Sequence, residues 1–196
     1  MKSGCGLALT ALLLLPLAAP AQSRRAADGR LSYTYGEARL VIEEPDGGDD
    51  FTGLRVGGAA KFHPNWFATG ALTTVSNDGA DLDTLDLGAG YRSPIAPGTD
   101  VVGIIGLVWA NFDAGPFDED DSGLSLTGGV RSRVAPRFEV GGYASYLELF
   151  GDGDVSLIGE GLLHLSPQFA LVGSLSLSDD VNVLTFGARW DFAPSR

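Results

Sequence analysis

Between residues 31 and 192, apolar and polar positions alternate with period two in segments of about ten residues, and no sustained helical period appears. The pattern predicts strands at 31–42, 51–62, 66–75, 82–92, 100–111, 123–134, 138–149, 155–165, 169–177 and 181–192. Two kinds of connection separate them. One is short and carries proline, as in Phe62-His63-Pro64-Asn65-Trp66, Ser93-Pro94-Ile95-Ala96-Pro97, Ala135-Pro136-Arg137-Phe138 and Ser166-Pro167-Gln168-Phe169. The other is acidic and mostly glycine-bearing, at 43–50, 76–81, 113–122, 151–154 and 178–180. Because the two kinds alternate, all proline turns fall on one side and all acidic loops on the other, with both chain ends on the proline side.

An even number of antiparallel strands of this length is the pattern of an all-β, up-and-down transmembrane β-barrel. Ten strands are predicted, with eight as the alternative if 31–42 pairs weakly or 82–92 breaks at Pro94. Closure removes the unpaired edges that lipid cannot satisfy. Alternation then assigns faces. Leu184, Phe186, Ala188, Trp190 and Phe192 share one face of their strand and point to lipid; Leu54, Val56 and Phe62, and Leu124, Leu126 and Val130, do the same in theirs. The segment 100–111 is apolar at both parities, so its register stays open. Thirteen of eighteen aromatic residues, Phe67 among them, fall near strand ends, where two membrane interfaces would lie. A soluble periplasmic ligand-binding barrel would alternate too, but would want its aromatics in mid-strand.

Composition adds an export step. Lys2, the apolar run 6–17 and the small residues of Ala19-Pro20-Ala21 read as a removable signal peptide over 1–21, leaving 22–196 as one barrel domain. The only cysteine, Cys5, leaves with the signal, so no disulfide or thiolate metal site holds the mature chain. Acidic residues number 25 against 13 Lys and Arg, a balance that excludes nucleic acid as a partner.

The inward parity collects Glu37, Arg39, Arg55, Lys61, Asp86, Arg92, Arg131, Arg133, Glu139, Glu160, His164, Arg189 and Asp191 as a lumenal polar network. Side chains this long, of both signs, reach across a narrow barrel and pair, which predicts an occluded lumen; a narrow diffusion pore is the alternative. Glu160, His164 and Ser166 share parity and could form an acid, base and nucleophile, as in a lipid-modifying enzyme, but Ser166 precedes Pro167 at a turn on the wrong side for an outer-leaflet lipid. No catalytic residue and no cofactor is therefore assigned. Asp118, Glu119, Asp120 and Asp121 are the densest carboxylates, a possible weak site for divalent cations bridging to lipopolysaccharide, although solvated repulsion explains them as well.

Leu31-Ser32-Tyr33-Thr34-Tyr35, Phe62-His63-Pro64-Asn65-Trp66-Phe67, Ile95-Ala96-Pro97-Gly98-Thr99-Asp100, and Gly129-Val130-Arg131-Ser132 with Ala135-Pro136-Arg137-Phe138-Glu139 carry a resemblance. Across nearly all of the exported chain, they resemble a small outer-membrane protein family of xanthomonads, once put forward as a quorum-sensing factor and activator of plant immunity. The resemblance implies a small outer-membrane barrel, handled by the outer-membrane assembly machinery and surrounded by lipid and lipopolysaccharide. The expectation is a monomeric, non-enzymatic envelope protein with a structural or surface-interaction role.

Overall fold

The computed structural model describes residues 31–77, 79–149 and 151–192; the predicted signal peptide and the segment after Phe192 lie outside the described residues. Ten strands follow one another: β1 (Tyr35–Pro45), β2 (Phe51–Lys61), β3 (Trp66–Asn77), β4 (Ala80–Ala96), β5 (Thr99–Ala114), β6 (Phe117–Ala135), β7 (Phe138–Leu149), β8 (Asp152–His164), β9 (Phe169–Leu177) and β10 (Val181–Asp191). Every strand pairs antiparallel with its sequence neighbours, and β1 pairs with β10 to close the barrel. The ten-strand expectation therefore holds.

The register fixes the barrel's size. Pairing runs from Glu43 through Val183, Ser176, Ile158, Tyr143, Gly129, Val102 and Arg92. Carried past the ends of β3 and β2, that line returns to the first strand about 12 residues from its start. Ten strands with this stagger tilt by about 40° and enclose a backbone cylinder of about 10 Å radius. Leu124 to Val134 on β6, tilted so, climbs about 25 Å, the height of an apolar membrane band. Over that height the outer face is aliphatic: Leu40, Leu72, Leu87, Ile105, Leu126, Leu157 and Leu175 are all exposed. Aromatics rim the band, with Trp66 and Tyr91 edge to face at 4.9 Å near the proline turns and Trp109 and Tyr146 toward the other end.

Three expectations need correction. The first strand begins at Tyr35 rather than residue 31, because Leu31 and Tyr33 turn inward and are buried in the lumen. Phe67 does not join the aromatic rim; its parity points it inward, where its ring lies 4.8 Å from Tyr33. Nor is 113–122 a loop. Pairing of β5 with β6 continues from Thr99↔Ser132 to Ala114↔Phe117, so the acidic residues there are strand residues flanking a two-residue turn. Gly115 takes φ 69° in that turn, a left-handed conformation glycine adopts without a Cβ clash. Asp113 lies directly across from Asp118, and the Asn111 amide on the facing strand donates to both Asp118 and Asp120. The open register of 100–111 also resolves: Val102, Val108 and Ala110 are buried inside, and Val101, Ile105, Leu107 and Trp109 are exposed outside.

Candidate functional site: the lumen

The polar residues predicted for the lumen lie at inward positions and gather into three groups, the first and third of which share Arg131. The largest joins β6, β7 and β8. Glu139, with no solvent exposure, accepts hydrogen bonds at Oε2 from Arg131 Nη2 (2.6 Å) and Nε (3.1 Å). Its Oε1 accepts from Arg133 and lies 2.9 Å from His164 Nε2. Asp191, from β10, is 3.9 Å from His164 Nδ1. A second group links β1, β8 and β10: Arg39 contacts Glu37 (2.8 Å) and Glu160 (2.7 Å), and Arg189 contacts Glu37 (2.7 Å) and Glu160 (3.5 Å). Tyr35 lays its ring 3.9 Å from the Arg189 guanidinium. Arg39 Nε, Arg189 Nη1 and Asp191 Oδ1 are buried with no hydrogen-bond partner among the described residues, so these layers depend on their ion pairs rather than on complete satisfaction.

A third group joins the segment before β1 to the barrel wall. The Tyr33 hydroxyl donates to Asp100 Oδ2 (2.9 Å), which also accepts from Arg92 Nη1 (2.8 Å). The Tyr33 ring lies between two guanidiniums, Arg92 at 5.2 Å and Arg131 at 5.3 Å. Arg131 Nη1 donates to the Ser32 carbonyl (2.8 Å), and Leu31 and Tyr33 pack with Ala59, Phe67 and Val102. Burial pushes the Tyr33 phenol above its usual range, so it remains a donor at physiological pH. This short segment thus fills the mouth at the end where β1 starts and β10 finishes.

Two members stand apart. Arg55 pairs with Asp86 (3.1 Å) and Thr73 (2.9 Å), with about a third of each charged side chain accessible. Lys61 lies at the rim and is exposed, its backbone N–H donating to Thr34 Oγ1 (3.3 Å). Sequence reasoning missed Tyr33, because it was placed in a strand, and Asp100, because the parity of its segment was ambiguous. The signal that could have found Asp100 was a lone acid opening an otherwise apolar run.

The candidate enzyme triad does not assemble. Glu160 is held by Arg39 and Arg189, His164 is held by Glu139, and Ser166 Oγ accepts the backbone N–H groups of Gln168 (3.3 Å) and Phe169 (3.0 Å) in an exposed turn. Asp118 and Asp120 each accept from Asn111 Nδ2, at 3.2 and 2.7 Å, while Glu119 takes the opposite parity. Among the described residues, no group of three or more His, Cys, Asp or Glu side chains converges as a metal ligand set.

The lumen keeps open space among and above these charged groups. A cavity of about 560 Å³ extends from Tyr33 and Phe67 at one end to Leu149 and Val181 at the other, near the acidic turns. Val41, Leu82, Val108, Leu147 and Ile158 line its wall, with Arg39, Glu37 and Glu160 below them.

A closed antiparallel ring with aliphatic side chains outside and ion pairs inside defines a membrane-spanning β-barrel. The chain belongs to the outer membrane protein beta-barrel domain family, whose model matches residues 7–192. Similar solved structures include the NanC porin (10% identity, 83% of this chain and 96% of that one, TM-score 0.46) and the KdgM porin (12%, 83% and 100%, 0.44). Ail, the attachment invasion locus protein of Yersinia pestis, is similar at 19% identity, 82% and 97% coverage and TM-score 0.38. None of the curated proteins compared with it matches.

Proposed function

We propose that this is a non-conducting, non-enzymatic outer-membrane barrel whose lumen is a blind vessel, closed toward the periplasm and open toward the cell surface. The observation that carries the reading is the Tyr33 plug. It is fastened by a hydrogen bond to Asp100, a ring contact with Phe67 and two flanking guanidiniums, directly beside the Arg131–Glu139–His164 layer. Ions crossing there would have to separate charges that are already paired and dry. The outer belt contacts membrane lipid and lipopolysaccharide, and the acidic hairpin ends face the surroundings.

Single-channel recording in planar bilayers tests the reading. Wild-type protein gives no stable conductance steps, while Tyr33→Gly combined with Arg131→Ala, which empties the plug, gives small ones. Steady steps from the wild type would refute it and favour the pore.

A further inference from the structure

We propose that the upper lumen is a binding pocket for a small amphiphile with an uncharged, hydroxyl-rich head and a short hydrocarbon tail, admitted through the mouth near the acidic turns. The volume, about 560 Å³, lies in the range of small-molecule sites, whereas a barrel of this stagger would otherwise fill its interior with side chains. The cause of the space is readable in the strands: the inward positions Thr84, Ala110 and Ser176 carry small side chains where bulky ones would have closed it.

The lining selects the ligand's two ends. Around the tail position Val41, Val108, Leu147, Ile158 and Val183 present hydrocarbon, so burial of a tail there is favourable. The charged groups already neutralise one another: Arg39 with Glu37 and Glu160 at the floor, and Arg55 with Asp86 higher up, across from Val108. A charged head would have to displace an existing partner and strand it, which costs more than it returns. Hydroxyls remain. Thr84 and Ser176 sit higher, among the hydrocarbon, but Tyr35, stacked on Arg189, and Tyr143, whose hydroxyl reaches back beside Gly141 toward the level of Glu160, lie near the floor and form no hydrogen bond with another side chain among the described residues. They can donate and accept, which suits a head built from hydroxyl groups.

This inference rests on the blind-lumen reading only for the direction of entry, and the two fail separately. The test is methyl NMR of the protein in a lipid nanodisc, titrated with hexyl glucoside. Val108 and Ile158 should shift saturably, with glucose binding at least about tenfold more weakly for want of a tail. Hexanoate and hexylammonium should also bind more weakly than hexyl glucoside. Ala110→Phe, and independently Ser176→Phe on another wall, should abolish saturation while retaining the folded migration of the wild type on a detergent gel. Shifts confined to the lipid-facing Ile105 and Leu126, saturation that survives both filled variants, or tighter binding of either charged probe would overturn the proposal. Conductance steps alongside saturable Val108 shifts would remove the blind lumen and leave the pocket standing.

Discussion

Replacing Glu139 by Gln keeps the shape of the side chain and removes its charge, which isolates what the carboxylate contributes. Its two oxygens accept from Arg131 Nε and Nη2 and from Arg133, with His164 Nε2 at 2.9 Å. At an effective dielectric of about 20, two charges about 4 Å apart attract by about 4 kcal/mol, and Glu139 faces two guanidiniums. Part of this offsets the desolvation of burying it, so the gross attraction overstates the effect. The useful comparison is with buried pairs broken from one side, which lose about 3–5 kcal/mol because the remaining charge stays buried and uncompensated. The Gln amide adds a donor facing one of the existing donors. The expected loss for Glu139→Gln is therefore about 3–5 kcal/mol, read as a shift in urea unfolding of the barrel in lipid vesicles, with folded protein scored by gel migration. Asp86→Asn is the control: its pair with Arg55 spans 3.1 Å and is about one-third accessible, so its loss should be about 0–1 kcal/mol. If Glu139→Gln costs less than about 1 kcal/mol, or no more than Asp86→Asn, then the layer is not the fastening inferred above.

Three further outcomes follow from the same geometry. Ile105 is exposed on the outer face, so Ile105→Arg should cost about 2–4 kcal/mol in vesicles; a neutral result would mean that this face does not meet lipid. Leu162 is fully buried against Ala170 and Val172, and Leu162→Ala should lose about 2–5 kcal/mol in the same unfolding assay, with a smaller loss showing that the lumen there repacks freely. At Gly123 an added Cβ would lie 1.5 Å from the Glu148 carbonyl oxygen, so Gly123→Ala must force β6 and β7 apart, at about 1–3 kcal/mol and with faster amide exchange near Leu147. Unchanged exchange there would show that the strands do not approach so closely.

The parts of this protein that could be read from its sequence are those governed by a period of two. Alternation in β10 separates Leu184, Phe186 and Trp190 from Thr185, Arg189 and Asp191 without reference to any other strand, because lipid and lumen demand opposite chemistry at successive residues. Strand number followed from counting turns. The placements of Tyr33 and of β5 depended on what lies beyond their own strand. Tyr33 continues the alternation of β1, yet it leaves the wall because Asp100, Arg92 and Arg131 offer its ring and hydroxyl more partners inside than the sheet edge does. Phe67 looked like a rim aromatic by its place near a strand end, although the alternation of its own strand turns it inward, where Tyr33 meets it. In β5, valine and isoleucine at both parities erase the signal, and only pairing with β4 and β6 settles which row faces inward.

That last ambiguity bears on the cavity. A strand that is apolar on its lipid side alone would read cleanly; β5 is apolar on both because Val108 and Ala110 form part of the cavity's hydrocarbon wall, level with and above the Arg55–Asp86 pair. A lumen built only for closure would gain from continuing the charged layers along its whole length, or from bulky side chains at these positions, since either would remove void. Small and aliphatic residues there do neither. They leave the upper lumen hollow, its wall shared by hydrocarbon, hydroxyls and the Arg55–Asp86 pair, while Glu139 and Tyr33 tie the lower lumen together, and a purely structural role leaves that space unexplained.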